Sequence, residues 1–528
     1  MDYDIVLFWL LCFSCLGSLV LTWTRLRFTA PGWIALYLAI LLLSLTGWLL
    51  EQPAIVYAAA ATWFLLVLVP GLIGRLFNRR FMQQEYGAAC RLARIISWLH
   101  PADGWRELPE ITGALDLAQQ GDLAAASDAL SRVQGVKSLI GLAAIVHLYR
   151  VTNQWEELLV WQSRHPQEIE RYPQILPALL RARGETGDVR GLVELYDGKR
   201  REIGKLAPTT SRDMCRLMLF AFCGERSAVK GLCAGNLAVL PPQTRAFWRA
   251  TADLKAGESE SARRQLEDLR LGADPLLHRA IERRLSQISN PPEPLDASAE
   301  RVVAEAAREC GHEETFGVQP SLFSNRASGT QTLMLLNVLT FVAESCQGGS
   351  TSLEVLYRMG ALFPPAVREG EWWRLITAAF LHHGALHLAM NMLGLWFLGP
   401  FVEFALGFRR FVLLYLLAGT GSMAMVLALS SGADAEPLTV GASGCVMGLV
   451  GATGLLMLRG WLREKALAAK RRLVLMLLIV ATQIVFDSTV PQVSMTGHLS
   501  GAFIGFAAAI VLRDRLRPPA PQQSALKS

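Results

Sequence analysis

Stretches of apolar residues long enough to enter a bilayer set the first constraint on this chain, and they fall in two blocks. Three lie near the start, at about residues 5–23, 33–50 and 55–76, and six lie near the end, at about 332–345, 383–398, 411–429, 442–458, 473–486 and 498–512. Backbone amides buried in lipid need partners within the protein, and continuous apolar runs provide them as helices. A content of 52% hydrophobic and 18% charged residues over 528 positions is too apolar for an ordinary soluble protein. The expectation is an all-α polytopic membrane protein with three extra N-terminal membrane helices, one polar helical insert and a six-helix membrane core.

Charge orients these elements. The net charge of +6 is small for this length, and the basic residues cluster beside apolar spans, so they read as topology signals and not as a nucleic-acid surface. Arg25 and Arg27 follow the first span, and Arg75, Arg79 and Arg80 close the third. Arg409-Arg410, the run from Arg459 to Lys470-Arg471-Arg472, and Arg513, Arg515 and Arg517 fall in alternate connections and the tail of the second block. The positive-inside rule then puts the N-terminus outside and the polar insert in the cytoplasm. The start, Met1-Asp2-Tyr3-Asp4, lacks the basic region of a signal peptide, so the first span is expected to stay as a membrane helix.

The insert carries a period of its own. Polar breaks recur at Gly121-Asp122, Asn153-Gln154, Gly187-Asp188, Gly224-Glu225 and Gly257-Glu258, a spacing near ~34 residues that suits a helix-turn-helix solenoid. Residues 118–130 and 256–269 resemble tetratricopeptide repeats, though without their usual Trp and Tyr positions; an irregular helical bundle is the competing reading. Asn290-Pro291-Pro292-Glu293-Pro294 reads as a linker, Ala297 to Cys310 as one more surface helix, and residues 311–329 as polar and turn-rich. The expected domains are 1–80, a three-span membrane region; 81–290, the repeats; 291–329, a linker; 330–513, the six-span domain; and 514–528, a tail.

Polar residues inside the later spans carry the chemistry. Thr439 to Gly448 is a run of small residues opening an apolar helix, with Ser443 set between Gly441 and Gly444. At a helix N-terminus the Ser443 N–H lacks an intrahelical partner and sits at the positive end of the dipole, a natural donor to a developing oxyanion. The same glycines also make a packing stripe, which needs no chemistry. Two other spans entering from the outer side carry polar first turns, one with His387 and Asn391 four residues apart on one face, the other with His498 beside a stripe of Gly497, Gly501 and Gly505. Ser443 precedes Arg459 by 16 residues and His498 precedes Arg513 by 15. Both therefore lie roughly 22–24 Å above the cytoplasmic edge, at matching depth. Ser443 as nucleophile, His498 as base, and His387, Asn391 and the Ser443 N–H as oxyanion donors form the parts of an acyl-transfer site.

These motifs, in this order, resemble those of the rhomboid family of intramembrane serine proteases over about residues 332–512. Glu371-Trp372-Trp373-Arg374 lies in the loop after the first core span, His382 five residues before His387, then His387-x-x-x-Asn391, Gly441-x-Ser443-Gly444, and His498 followed by small residues. The resemblance implies a Ser443–His498 dyad, an oxyanion site including His387 and Asn391, and hydrolysis of peptide bonds in or near a substrate's membrane span. Gly441, Gly444, His382, Trp373 and Arg374 are expected to support that site. Met447 stands where several members carry an aromatic under the catalytic His. Asp487 is followed by Ser488, Thr489, Val490 and Pro491, which reads as the start of a loop, and a triad role is not assigned to it. His383 reads as a loop-end residue near the interface.

Such hydrolysis needs no metal or cofactor, and Cys12-Phe13-Ser14-Cys15, buried in an apolar run without a nearby His, is not read as a metal or redox site. The expected partners are the lipid bilayer, single-span or multi-span membrane protein substrates, and a cytoplasmic protein recruited by the repeats; no nucleic acid is expected. The expected location is a cell membrane, specifically a bacterial inner membrane. Two other classes compete: a catalytically idle rhomboid-like protein that binds membrane clients while its repeats recruit a partner, and a transporter. The clustering of polar groups at one depth disfavours transport, and retention of both Ser443 and His498 disfavours the idle reading.

The topology is directly testable. A cysteine introduced at Ser259 should resist an impermeant thiol reagent in intact cells and react after lysis, whereas reaction before lysis would reverse the orientation.

Overall fold

The computed structural model describes residues 3–26, 30–135, 138–206, 208–288, 294–317, 322, 327–430, 438–489 and 494–516. The chain divides into two compact units, Met1–Ala307 and Arg308–Ser528. Among the described residues the regular structure is helical throughout, apart from one isolated antiparallel bridge between Leu362 and Thr439. The all-α, polytopic expectation therefore holds. Most of the Pro-rich stretch expected as a linker at 290–294, and the tail beyond 516, lie outside the described residues. Ala297–Phe316 forms one helix, running past Cys310 into the stretch expected to be turn-rich.

The first unit opens with three apolar helices, Tyr3–Leu26, Pro31–Leu49 and Pro53–Met82. Leu11, Cys15, Ile40 and Ala59 are buried together where the three meet. The third is interrupted by a π-helical turn at Phe64–Leu68, just ahead of Pro70. Proline offers no N–H to the preceding turn, and the wider turn relieves the resulting clash. The second helix is capped from outside itself: Asp103 accepts from the N–H groups of Gly32 and Trp33 at 2.9 and 3.1 Å. Trp33 stacks on His100 at 4.1 Å between ring centres. A carboxylate at a helix N-terminus stabilises by about 0.3–1 kcal/mol or somewhat more when shielded from water.

Five helical hairpins follow, and each polar break falls at their turns. Gly121, Asn153, Gly187, Gly224 and Gly257 all have left-handed φ, between 61° and 99°. That conformation ends a helix at low cost only for Gly or Asn. At Gly121-Asp122 and Gly187-Asp188 the acid caps the next helix, accepting from Ala125 N at 3.0 Å and Gly191 N at 2.8 Å. The Gly-Asp pairs thus stop one helix and start another within two residues. A further helix, Pro275–Ser286, reaches back across earlier hairpins: Arg279 donates to the carbonyls of Val151 and Thr152, and Arg284 to the Glu185 carboxylate at 3.1 Å.

In the second unit the six expected core spans are the helices Ser328–Cys346, Ala385–Leu406, Phe408–Ala428, Ser443–Glu464, Leu467–Thr489 and Met495–Val511. Across the described residues of the whole chain, six helices are long and apolar enough to cross a membrane, four of them in this unit. Met495–Val511 is a shorter apolar helix, and Ser328–Cys346 is diluted by Asn337 and Glu344, both fully buried. Glu403 fastens that first core helix to the second, accepting from the N–H groups of Gly329 and Thr330 at 2.7 and 2.8 Å.

The Ser443–Glu464 helix is the most enclosed of the spans, and small residues let its neighbours approach. A Cβ placed on Gly501 would lie 2.3 Å from the Gly444 carbonyl oxygen, one on Gly505 2.0 Å from that of Gly448, and one on Gly451 1.9 Å from that of Ala502. Backbone lies against backbone along this seam, which is the packing small residues permit in membranes. The Leu467–Thr489 helix differs, with Leu475, Leu477 and Leu478 at least half exposed on a face suited to lipid.

Gly501→Ala should therefore lower the thermal unfolding midpoint in detergent, at a cost of about 1–3 kcal/mol from overpacking. Gly454→Ala on the Ser443 helix, where an added Cβ meets nothing within 4 Å, should leave the midpoint unchanged or raise it slightly. Equal effects of the two would refute the seam.

Candidate functional site

Ser443 is the first residue of its helix, and the chain reaches it through a fixed lead-in. Leu362 and Thr439 exchange two backbone hydrogen bonds at 3.0 Å, and Gly441 N–H bonds to the Ala378 carbonyl at 2.9 Å. Gly441 then turns the chain with φ of 129°, and a Cβ there would come within 2.7 Å of the His387 ring. Only glycine lets the imidazole lie against the backbone just before Ser443. The first helical N–H to find a backbone carbonyl within this turn is that of Val446, on Ala442 at 2.9 Å, so the Ser443, Gly444 and Cys445 amides head the helix.

The seam of small residues sets the His498 turn beside this helix start. Gly444 lies against Ser422, with the Gly497 carbonyl 3.6 Å from where its Cβ would be. His498 is 6% exposed. Its Nδ1 meets the Asp487 carboxylate at 2.8 and 3.0 Å, and the Gln483 side-chain amide donates to the same carboxylate at 2.7 Å. A carboxylate on Nδ1 fixes the tautomer with the proton on that nitrogen, leaving Nε2 as the acceptor. No hydrogen bond joins Ser443 Oγ to His498 among the described residues; apo sites often hold such pairs apart.

Here the structure corrects the reading of Asp487. The helix continues through Thr489, so Asp487 is not at the start of a loop but on a helical face, four residues from Gln483 and 7% exposed. Two polar residues at i,i+4 in an apolar span were the available signal, and the Ser-Thr-Val-Pro sequence after them masked it. Val490 and Pro491 themselves lie outside the described residues.

The remaining candidates divide into those near Ser443 and those that support it from a distance. Asn391, 5% exposed, donates one amide hydrogen to the carbonyl of His387 at 3.0 Å, one turn back along its own helix, and the other hydrogen has no acceptor among the described residues. His382 is fully buried; its N–H bonds to Glu344 at 3.0 Å, and its ring meets the His387 ring edge-on at 5.3 Å. Met447 packs in a cluster with Val450 and Met476. Arg374 holds the loop before the second core helix, donating to the Tyr357 and Ala361 carbonyls at 2.7 and 2.9 Å, pairing with Glu371 and lying 4.3 Å over the Tyr357 ring. Trp373 and Trp372 are 45% and 64% exposed on that loop, a placement that suits the headgroup region.

Comparison with known proteins gives one consistent result. The rhomboid domain model matches residues 369–515. The chain is 34% identical over 202 residues to rhomboid protease GluP of Bacillus subtilis (strain 168), covering 38% of each. It is 37% identical over 169 residues to RHOMBOID-like protein 5 of Arabidopsis thaliana, covering 32% of this chain and 52% of that one. A second Bacillus subtilis protein, YdcA, whose name also carries the words rhomboid protease, is 34% identical over 144 residues, covering 26% of this chain and 67% of its own length. The chain thus spans between 38% and about half of the first relatives it matches.

Proposed function

The chain belongs to the rhomboid family, and from that premise we propose that it is an intramembrane serine endopeptidase that cleaves membrane-protein substrates in or near their spans. The observation that carries the proposal is the buried His498 held through Nδ1 by Asp487, on a helix whose backbone touches that of the Ser443 helix. Such an arrangement serves general-base catalysis and has little use in a purely packed interior.

In this reading His498 Nε2 takes the Ser443 hydroxyl proton as Oγ attacks the scissile carbonyl. The tetrahedral oxyanion is met by the N–H groups at the head of the Ser443 helix and by His387 and Asn391. Collapse expels the amine, which receives the proton from His498 and leaves an acyl ester on Ser443. Water, deprotonated by the same imidazole, hydrolyses the ester and restores the enzyme. Asp487 touches no reacting atom; it orients the ring and stabilises the imidazolium formed in each half-reaction.

Placement of the helical insert in the cytoplasm of a bacterial inner membrane belongs to the same proposal. It is supported by the arginines flanking the N-terminal spans and by Asp103, which ties the chain after the third span to the end of the second helix that follows Arg25 and Arg27. The insert would then recruit a cytoplasmic protein or substrate tail and raise its local concentration.

Ser443→Ala and His498→Ala should each abolish cleavage of a single-span reporter in lipid while the protein stays folded, and Asn391→Ala should cost roughly 10²–10³ in rate. Normal turnover by Ser443→Ala would leave an idle client-binding protein as the reading. Asp487→Asn should lower kcat by about 10²–10⁴ with KM little changed, and Asp487→Glu should restore part of it. An unaffected kcat would reduce Asp487 to a packing residue.

A further inference from the structure

Far from Ser443 in sequence, the first unit holds a cavity of about 50 Å³ between the second, third and fifth hairpins and the helix Pro275–Ser286. Three guanidinium groups line it, those of Arg150, Arg181 and Arg279, against a single acid, Asp274. That acid is already committed: it caps its own helix through Leu277 N–H at 2.9 Å and accepts from Gln119 at 3.1 Å.

Among the described residues none of the three cations forms an ion pair with that acid. Arg181 lies between two indoles, 4.8 Å from the Trp155 ring centre and 5.2 Å from that of Trp248. Its Nε bonds to Glu185 at 3.2 Å, and Glu185 is shared with Arg284 at 3.1 Å. The ring faces steady the guanidinium. Arg150 donates through Nη2 to the Tyr86 hydroxyl at 2.9 Å, and Arg279 to two backbone carbonyls. Among the described residues neither has a carboxylate within ion-pair distance. Burial pushes Arg181 down to about 10 in spite of its bond to Glu185, whereas Tyr86 and Asp274 hold Arg150 above its ordinary value in spite of its burial.

We propose that this cavity is an oxyanion-binding site, taking one carboxylate or phosphate group between Arg150 and Arg181 with Arg279 at its edge. The planar forks of arginine match both groups, and each paired donor forms a charge-assisted hydrogen bond. A water needs roughly 10–15 Å³ on the same measure, so the space suits a group of a few heavy atoms. A larger ligand would present only its anionic end. The site is independent of whether Ser443 is a nucleophile, and it lies outside the segment shared with the rhomboid domain.

The test uses the full chain in detergent or nanodiscs, titrated with inorganic phosphate, acetate, a short peptide with a free C-terminal carboxylate, and the same peptide amidated. Saturable binding is expected for at least one anionic probe and not for the amidated peptide. Arg150→Gln and Arg181→Gln should each weaken it at least about tenfold, with Arg181→Lys intermediate. Binding of phosphate or acetate alone would point to a free anion, and binding of the carboxylate peptide alone to a chain terminus. Should a variant not fold, protection of the unaltered protein from heat by the anions, absent with the amidated peptide, decides the matter. Failure of every anion to bind or protect would overturn the proposal, as would binding unchanged in Arg150→Gln.

Discussion

Backbone contact between the Ser443 and His498 helices is the constraint on which the rest of the core depends. Gly444, Gly448 and Gly451 face Gly501, Ala502 and Gly505 with no room for a side chain between them. Lipid supplies no hydrophobic drive to hold two helices together, so close van der Waals packing must do so. The contact also sets register: the first turn of one helix is brought level with the first turn of the other, and that is where Ser443 and His498 lie. The third partner, Phe408–Ala428, joins through Ala418, Gly419 and Ser422, which fit against Gly448, Cys445 and Gly444.

In each unit polar groups are used to fix helix ends. Glu403 caps the first core helix from the second, Asp103 caps the second N-terminal helix, and Gly441 is tied to Ala378 immediately before Ser443. Each bond replaces water at an N–H group that has no partner inside its own helix. The loop before the second core helix follows a related logic, with the Arg374 guanidinium donating to the carbonyls of Tyr357 and Ala361.

What could be read from the residues alone was what depends on local pattern. Hydropathy placed a helix at each of the nine expected spans, although among the described residues only six helices are long and apolar enough to cross a membrane. The five hairpin turns were legible because Gly and Asn are favoured where φ turns positive, and at two of them an Asp starts the next helix. Two features were not. The span bearing Asp487 was ended too early, because Ser488, Thr489 and the following Pro resemble a loop while the helix runs on to Thr489. The return of Pro275–Ser286 over the earlier hairpins was also invisible, since it rests on pairings such as Arg284 with Glu185, 99 residues apart. Periodicity carries no information about which distant residues meet.

The unequal enclosure of the core helices has a mechanical consequence. The Ser443 helix is clamped on several sides, whereas Leu467–Thr489 offers most of its surface to the surroundings. Any deformation that makes room for a second polypeptide will concentrate in the compliant member, because separating the stiff pair forfeits a continuous backbone contact. The compliant member is also the one that carries Asp487 and Gln483. A displacement of that helix would therefore carry with it the carboxylate that meets His498.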